Sequence, residues 1–426
     1  MRVEFLYDGL PGVDIEGDNF LGLFEPREFT TQEREEDIIA RALLNPIGTR
    51  RIAEMARGRK KILIIVDDNT RLTPVAKILP LVIEELKTTG VAEDSITILI
   101  GLGTHRPMTQ AECEKKLGED VLRRFRVISH NWRDASSLEF TGKTPGGTEI
   151  WLNKEVLQAD FILGIGHIVP HRVAGFSGGG KIIQPAVCGG RTTEQTHWLS
   201  ARYQGWEIMG KPDNPVRQEI ETVARQAGLD AILNVVQDRQ GRIVGAFCGD
   251  LVHAHRAGCR VSLEVFGVEI PEPADIVLTD SYPADVEMWQ AAKGIYASDL
   301  AVREGGVIIL VTPCPEGVAS QHPSIEKVGY RPLREVERLV KQGVLTDLTV
   351  AAHLVHVGEV IQKKASCILV SPGIGPEVAQ KIGFKWAPTP REALEMAYGL
   401  LGRRAKVICF RHGGEILPVV AGGNIQ

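Results

Sequence analysis

Lys61-Ile62-Leu63-Ile64-Ile65-Val66-Asp67-Asp68-Asn69-Thr70-Arg71 is the stretch that decides the fold. It opens as a mostly apolar, β-branched run and stops abruptly in two aspartates. A strand that is apolar at successive rather than alternate positions has to be covered on both faces. Residues 74–86 follow with apolar side chains at helical spacing, and residues 95–100 form another strand-like run that ends in Gly101-Leu102-Gly103-Thr104-His105. Thr109 is placed to cap the next helix, and Glu112, three residues on, completes a capping box. Strand signals at 127–129 and 160–165 continue the alternation. This rhythm predicts an α/β fold with Rossmann-like, mostly parallel sheets flanked by helices.

A second set of signals starts near Ala274. Strands are expected at 275–279, 307–312, 367–371 and 406–410, and helices at 286–303, 348–364 and 391–401. Between the two sets, Gly267-Val268-Glu269-Ile270-Pro271-Glu272-Pro273 holds two prolines and two acids and reads as a linker. The expected organisation is an N-terminal α/β domain over 1–266, a linker over 267–273 and a C-terminal α/β domain over 274–426, with a cleft between them.

The chain has 426 residues, 43% of them hydrophobic and 24% charged, enough to bury a large core without staples. A net charge of −5 is small for this size and argues against a dedicated nucleic-acid or membrane surface. Seven scattered cysteines with no Cys-x-x-Cys pair indicate neither a thiolate zinc knuckle nor a disulfide framework. The first eight residues are too short and too charged for a signal peptide, and no apolar run is long enough to span a bilayer. The expected compartment is the cytoplasm.

The polar motifs 67–71, 103–106 and 166–181 each follow a strand. Ligands of open α/β sheets bind beyond the carboxyl ends of strands, so these motifs should converge. The densest lies between His167 and His197, where six glycines, Lys181 and three histidines crowd together. Gly178, Gly179 and Gly180 lack Cβ atoms and let backbone N–H groups approach an anion. Lys181 offers a cation or a nucleophilic amine, and His171 and His197 offer proton transfer or a metal bond. Ile182 after the lysine breaks the Walker pattern, which disfavours an NTPase, and Gly164-Ile165-Gly166 is no dinucleotide fingerprint.

Each motif has a bland reading too. Asp68 to Arg71 works equally as a capped turn, with Asp68 or Thr70 bonding the next helix, or as a carboxylate or phosphate grip through Arg71. His105, between Thr104 and Arg106, is a candidate acid/base. His167 reads as a loop hydrogen-bonding residue. His197 falls in a helix expected over 191–203, where a structural role is the default. Gln290 and Lys293 share a helix face just past the strand at 275–279.

Taken together, Pro170-His171, Ala174-Gly175-Phe176-Ser177-Gly178-Gly179, Lys181 and His197 sixteen residues later carry a resemblance. So do Asp68-Asn69-Thr70-Arg71, Gly103-Thr104-His105-Arg106 and Gln290 with Lys293-Gly294. The chain resembles the nickel-pincer lactate racemases and their 2-hydroxyacid racemase and epimerase relatives over nearly its whole length. The resemblance implies a nickel-bound pyridinium mononucleotide with thioamide and thiocarboxylate arms, made by separate maturation enzymes and attached covalently at Lys181. It implies His197 as the nickel ligand and His105 and His171 as the two acid/base groups. Asp68, Asn69, Thr70, Arg71, Ser177, Gly178 and Gly179 would hold cofactor phosphate and substrate, and Arg71, Trp289, Gln290 and Lys293 would contact the 2-hydroxyacid. Some lactate-specific members are expected to carry an aromatic hydroxyl where this chain has Phe176 or Trp289. Two other readings compete: a metal-dependent hydrolase built on His105, His171 and His197, and a non-catalytic protein that binds a carboxylate or nucleotide.

Overall fold

The computed structural model describes residues 1–15, 17, 19–29 and 33–422. Its centre is two six-stranded sheets. The first runs in space Ile243–Gly249, Ala231–Gln237, Phe161–His167, Ile62–Asp67, Ile96–Gly101, Arg126–Ser129. All of its neighbours are parallel except the edge pair Ala231–Gln237 with Ile243–Gly249. The second runs Lys385–Trp386, Ala365–Val370, Val302–Val311, Ala274–Asp280, Val407–Phe410, Phe20–Phe24 and is parallel throughout.

The unbroken apolar run explains itself in section. Ile62, Ile64 and Val66 enter the core on one face of the first sheet, and Leu63 and Ile65 enter the core on the other. Each fully buried aliphatic side chain contributes about 1.5–3 kcal/mol relative to exposure, so both faces stabilise this strand. Helix Val75–Lys87 follows it, as its spacing predicts. Helix Gln110–Leu117 carries the expected capping box: Thr109 Oγ1 accepts from the Glu112 N–H, and the Thr109 N–H donates to Glu112 Oε2 at 2.7 Å.

Several boundaries differ from expectation. The helix expected over 286–303 is Met288–Asp299, because Val302 is drawn into the second sheet opposite Ala274. The helix expected over 348–364 is α-helical only over Leu348–Glu359 and closes in a π turn, Val360–Lys364. The stretch read as a linker begins as a strand: Gly267–Ile270 pairs in parallel with Leu417–Val420. The start of the chain also departs from a single 1–266 unit. Phe20–Phe24 is the edge strand of the second sheet, and Val3, Phe5, Val13 and Ile15 lie in that sheet's core. Nothing local in a short edge strand specifies which sheet it will join.

Among the described residues, no helix is long and apolar enough to cross a membrane. The seven cysteines are unpaired, and all but Cys113 are buried.

Candidate active site

The carboxyl ends of the first sheet's central strands face helix Met288–Asp299, and between them lies a cavity of about 160 Å³. Its wall includes Asp68, Arg71, His105, His171, Ser177, Gly178, Lys181, His197, Trp289, Gln290 and Lys293, so residues from both sequence halves meet there.

Asp68 follows strand Ile62–Asp67 and is 3% exposed. Its Oδ1 accepts from the Thr70 N–H at 3.1 Å and the Thr70 hydroxyl at 2.6 Å, while Oδ2 meets His105 Nδ1 at 2.6 Å. Asp68 thus closes its own turn instead of capping the next helix, which has no side-chain cap. Burial alone would raise its carboxyl, but the charge and hydrogen bond of His105, followed by Arg71 and Thr70, hold it well below the ordinary carboxylate range. Arg71 donates to Thr70 Oγ1 at 2.9 Å and lines the cavity. Asn69 turns away and donates to Glu112 Oε1 at 2.8 Å.

His105 Nε2 lies 3.0 Å from the Gln290 amide nitrogen. A carboxylate on Nδ1 fixes the ring proton there, so Nε2 is the acceptor and the Gln290 N–H donates to it. His171 has the opposite arrangement. Its Nδ1 accepts from the Val173 N–H at 3.1 Å, which puts the ring proton of the neutral form on Nε2. Burial, then Lys181, Arg71, Lys293 and His197, push its pKa well below the usual value.

The glycine loop departs from an open anion cradle. Part of its backbone is bound by protein: the Gly179 N–H donates to Asn234 Oδ1 at 2.7 Å, and His255 Nε2 donates to Ser177 O at 2.8 Å. Arg217, fully buried, donates to Ala174 O at 3.1 Å, to Gly178 O at 3.0 Å and to Phe176 O. Ser177 Oγ accepts from the Val169 N–H and donates to His167 O. A Cβ on Gly178, whose φ is +72°, would come within 2.7 Å of Asn234 Oδ1. The glycines therefore buy close packing, and only Ser177 and Gly178 of the three expected anion-binding positions face the cavity.

Lys181 sits in the short turn Gly179–Ile182 that this packing holds in place. Burial, then Arg71, Arg217 and Lys293, lower its pKa far below that of a free lysine, which favours the neutral, nucleophilic amine. His197, on helix Gly190–Ser200, donates from Nδ1 to Thr193 O at 2.9 Å, which leaves the Nε2 lone pair uncommitted. Burial, then Lys181, bring its pKa down to about 4. A neutral ring oriented by a carbonyl on its other nitrogen is the metal-binding form of histidine.

Helix Met288–Asp299 brings Trp289, Gln290 and Lys293 to the opposite wall. Trp289 stacks on His322, with ring centroids 4.4 Å apart, and meets His353 at a tilt, with centroids 4.3 Å apart. Burial, then Arg71, lower the Lys293 pKa, and Glu415 and Asp68 oppose them. Phe176, by contrast, is fully buried beside Ile168 and Val169, away from the cavity.

His167 is a wall residue as much as a loop residue. Its carbonyl accepts from Ser177, while its Nε2 is buried without a partner among the described residues. The sequence reading missed Asn234, Arg217, Glu415, Tyr296, His353 and His356. The His353-x-x-His356 spacing on helix Leu348–Glu359 was the one local signal for any of them. Among the described residues no three His, Cys, Asp or Glu side chains are grouped to hold a metal by themselves, which speaks against a hydrolase centre made only of His105, His171 and His197.

This chain matches known families at both ends: the lactate racemase N-terminal domain over residues 8–207 and the lactate racemase C-terminal domain over residues 270–417. It is 30% identical to a lactate racemase of Lactiplantibacillus plantarum, over 94% of this chain and 95% of that one. It is 37% identical to a lactate racemase of Thermoanaerobacterium thermosaccharolyticum, over 66% of this chain and 67% of that one. The solved lactate racemase apoprotein from T. thermosaccharolyticum superposes with a TM-score of 0.87 at 29% identity, covering 98% of this chain and 100% of that chain. A Thermotoga maritima protein superposes at 0.75 with 22% identity, over 90% of this chain and 98% of that one, a likeness of fold alone. The chain therefore belongs to the lactate racemase family and is an isomerase.

Proposed function

We propose that this chain racemises lactate or a closely related 2-hydroxyacid with a nickel-pincer nucleotide linked at Lys181. The observation that carries the reading is one cavity lined by two differently hydrogen-bonded histidines, a buried lysine and a histidine with its Nδ1 tied back. Lys181 and His197 fit such a group. Among the described residues none accepts a hydrogen bond from the Lys181 amine, so it is free to form an amide-type bond, and His197 Nε2 is free to bind nickel. When bound, the group supplies the hydride-accepting and hydride-returning chemistry.

The protein's own part is placement and proton transfer. The C2 hydrogen beside an ionised carboxylate is a poor acid, and its departure as hydride requires the hydroxyl proton to leave as well. His105 Nε2 takes that proton from one enantiomer, and Asp68 stabilises the imidazolium that results. His171 serves the enantiomer whose hydroxyl points to the other wall. Arg71 and Lys293 hold the carboxylate while the planar ketoacid turns, and the arriving negative charge favours the protonated form of Lys293. Gln290 fixes His105 until substrate displaces its amide. Cofactor-maturation enzymes, acting in the cytoplasm, are the partners this reading calls for.

The test is intact mass after coexpression with pincer-maturation enzymes, together with the optical rotation of single-enantiomer lactate. The wild-type mass should exceed the sequence mass, Lys181→Ala should lose the gain, and His105→Ala or His171→Ala should lose racemisation while keeping it. An unmodified Lys181 under those conditions refutes the attachment.

A further inference from the structure

Beside the main cavity lies a second chamber of about 10 Å³, lined by Thr70, Arg71, His167, His171, Lys293 and Glu415 among others. It shares Arg71, His171 and Lys293 with the main cavity. Glu415 is 7% exposed and is the one acidic residue on this chamber's wall among the described residues.

Its position is built in. The Gly413 N–H donates to Asp280 Oδ1 at 2.7 Å, the Gly414 N–H to Tyr282 O at 3.1 Å and the Glu415 N–H to His412 O at 2.9 Å. A Cβ on Gly413 would lie 2.1 Å from Thr279 Oγ1, and one on Gly414 would lie 2.5 Å from Ser281 O. These two glycines let the loop press against the end of strand Ala274–Asp280 and hold Glu415 at the chamber. Burial pushes the Glu415 carboxyl up to about 7, against the pull of Lys293 and Arg71.

We infer that Glu415 selects substrate by charge, admitting a singly charged 2-hydroxyacid to the Arg71–Lys293 end of the cavity and disfavouring a doubly charged one. This rests on the reading above that Arg71 and Lys293 hold the substrate carboxylate. Asp68 is committed to His105, so the charges that meet a substrate there are Arg71, Lys293 and Glu415. Above its raised pKa, Glu415 and one substrate carboxylate balance the two cations. A second substrate carboxylate has no cation left and would face Glu415 in a chamber with room for about one water. An anion held beside a like charge without hydration is strongly disfavoured.

The test is calorimetric binding of single-enantiomer lactate and malate to the full-length protein at about pH 8, where Glu415 is mostly ionised, in wild type, Glu415→Gln and Glu415→Asp. Wild type should bind malate at least about tenfold more weakly than lactate, a difference of about 1.4 kcal/mol. Glu415→Gln should shrink that ratio about tenfold or more, and Glu415→Asp, which keeps the charge, should preserve it. Equal affinities in wild type, or the same ratio in Glu415→Gln, overturn the inference. The wild-type arm needs no variant to fold. Lys293→Met in the same assay separates the underlying reading: undiminished lactate binding there refutes the carboxylate grip, whatever the malate ratio does.

Discussion

Replacing Asp68 with asparagine keeps the shape of the side chain and removes what His105 needs from it. The carboxylate serves two sets of donors: Oδ1 accepts from the Thr70 N–H and hydroxyl, and Oδ2 accepts from His105 Nδ1 at 2.6 Å. An amide has one acceptor oxygen. Turned toward Thr70, it presents its NH₂ to His105, the ring proton moves to Nε2, and Nε2 then meets the Gln290 amide nitrogen, 3.0 Å away, donor to donor. Turned toward His105, it presents its NH₂ to the Thr70 N–H and breaks the turn. A hydrogen bond to a charged group contributes about 1.5–3 kcal/mol, which at about 1.4 kcal/mol per decade is a loss of roughly 10- to 150-fold in kcat. The carboxylate stabilises the imidazolium, a species formed during the reaction, so kcat should fall with little change in KM. The assay is initial-rate racemisation of each lactate enantiomer by Asp68→Asn loaded with cofactor to the same extent as wild type, checked by intact mass. A kcat within threefold of wild type in both directions would refute the argument that Asp68 sets the His105 tautomer.

Two further consequences concern stability. Arg217→Met should cost about 3–5 kcal/mol, because the buried guanidinium satisfies three carbonyls of residues 174–178 and its removal leaves them unpaired; urea unfolding monitored by circular dichroism measures this, and a loss below 1 kcal/mol would show that the loop finds other donors. Glu415 has its folded pKa raised to about 7, so its contribution to stability is fully present below the unfolded carboxylate value and is lost as pH rises through the folded one. The unfolding free energy of Glu415→Gln relative to wild type should therefore improve between pH 4 and pH 8, by on the order of 1–3 kcal/mol; a difference that is flat across that window would contradict the raised pKa.

What the sequence determined by itself is local and periodic. Runs such as Ile62 to Val66, apolar at every position, β-branched and alternating with helical patterns, read as strands covered on both faces, and both sheets obey that demand. Thr109 with Glu112 marked a helix start because the capping box closes within four residues. The placing of polar motifs after strands predicted that Asp68, Arg71, His105, His171 and Lys181 would converge, and they line one cavity, where His197, Gln290 and Lys293 join them from helices. Tertiary structure decided whatever depends on partners distant in sequence. Phe20–Phe24 joined the second sheet because backbone pairing with Val407–Phe410 was available there, and no local pattern encodes an edge strand's destination. Gly178, Gly179 and Gly180 read as an anion cradle, and only the folded chain shows that Asn234, Arg217 and His255 bind the Gly179 N–H, Gly178 O and Ser177 O of that loop. Glu415 carried no signal in the sequence, because a carboxylate's role is set by the charges and the burial around it, and Arg71 and Lys293 reach it only in the folded chain.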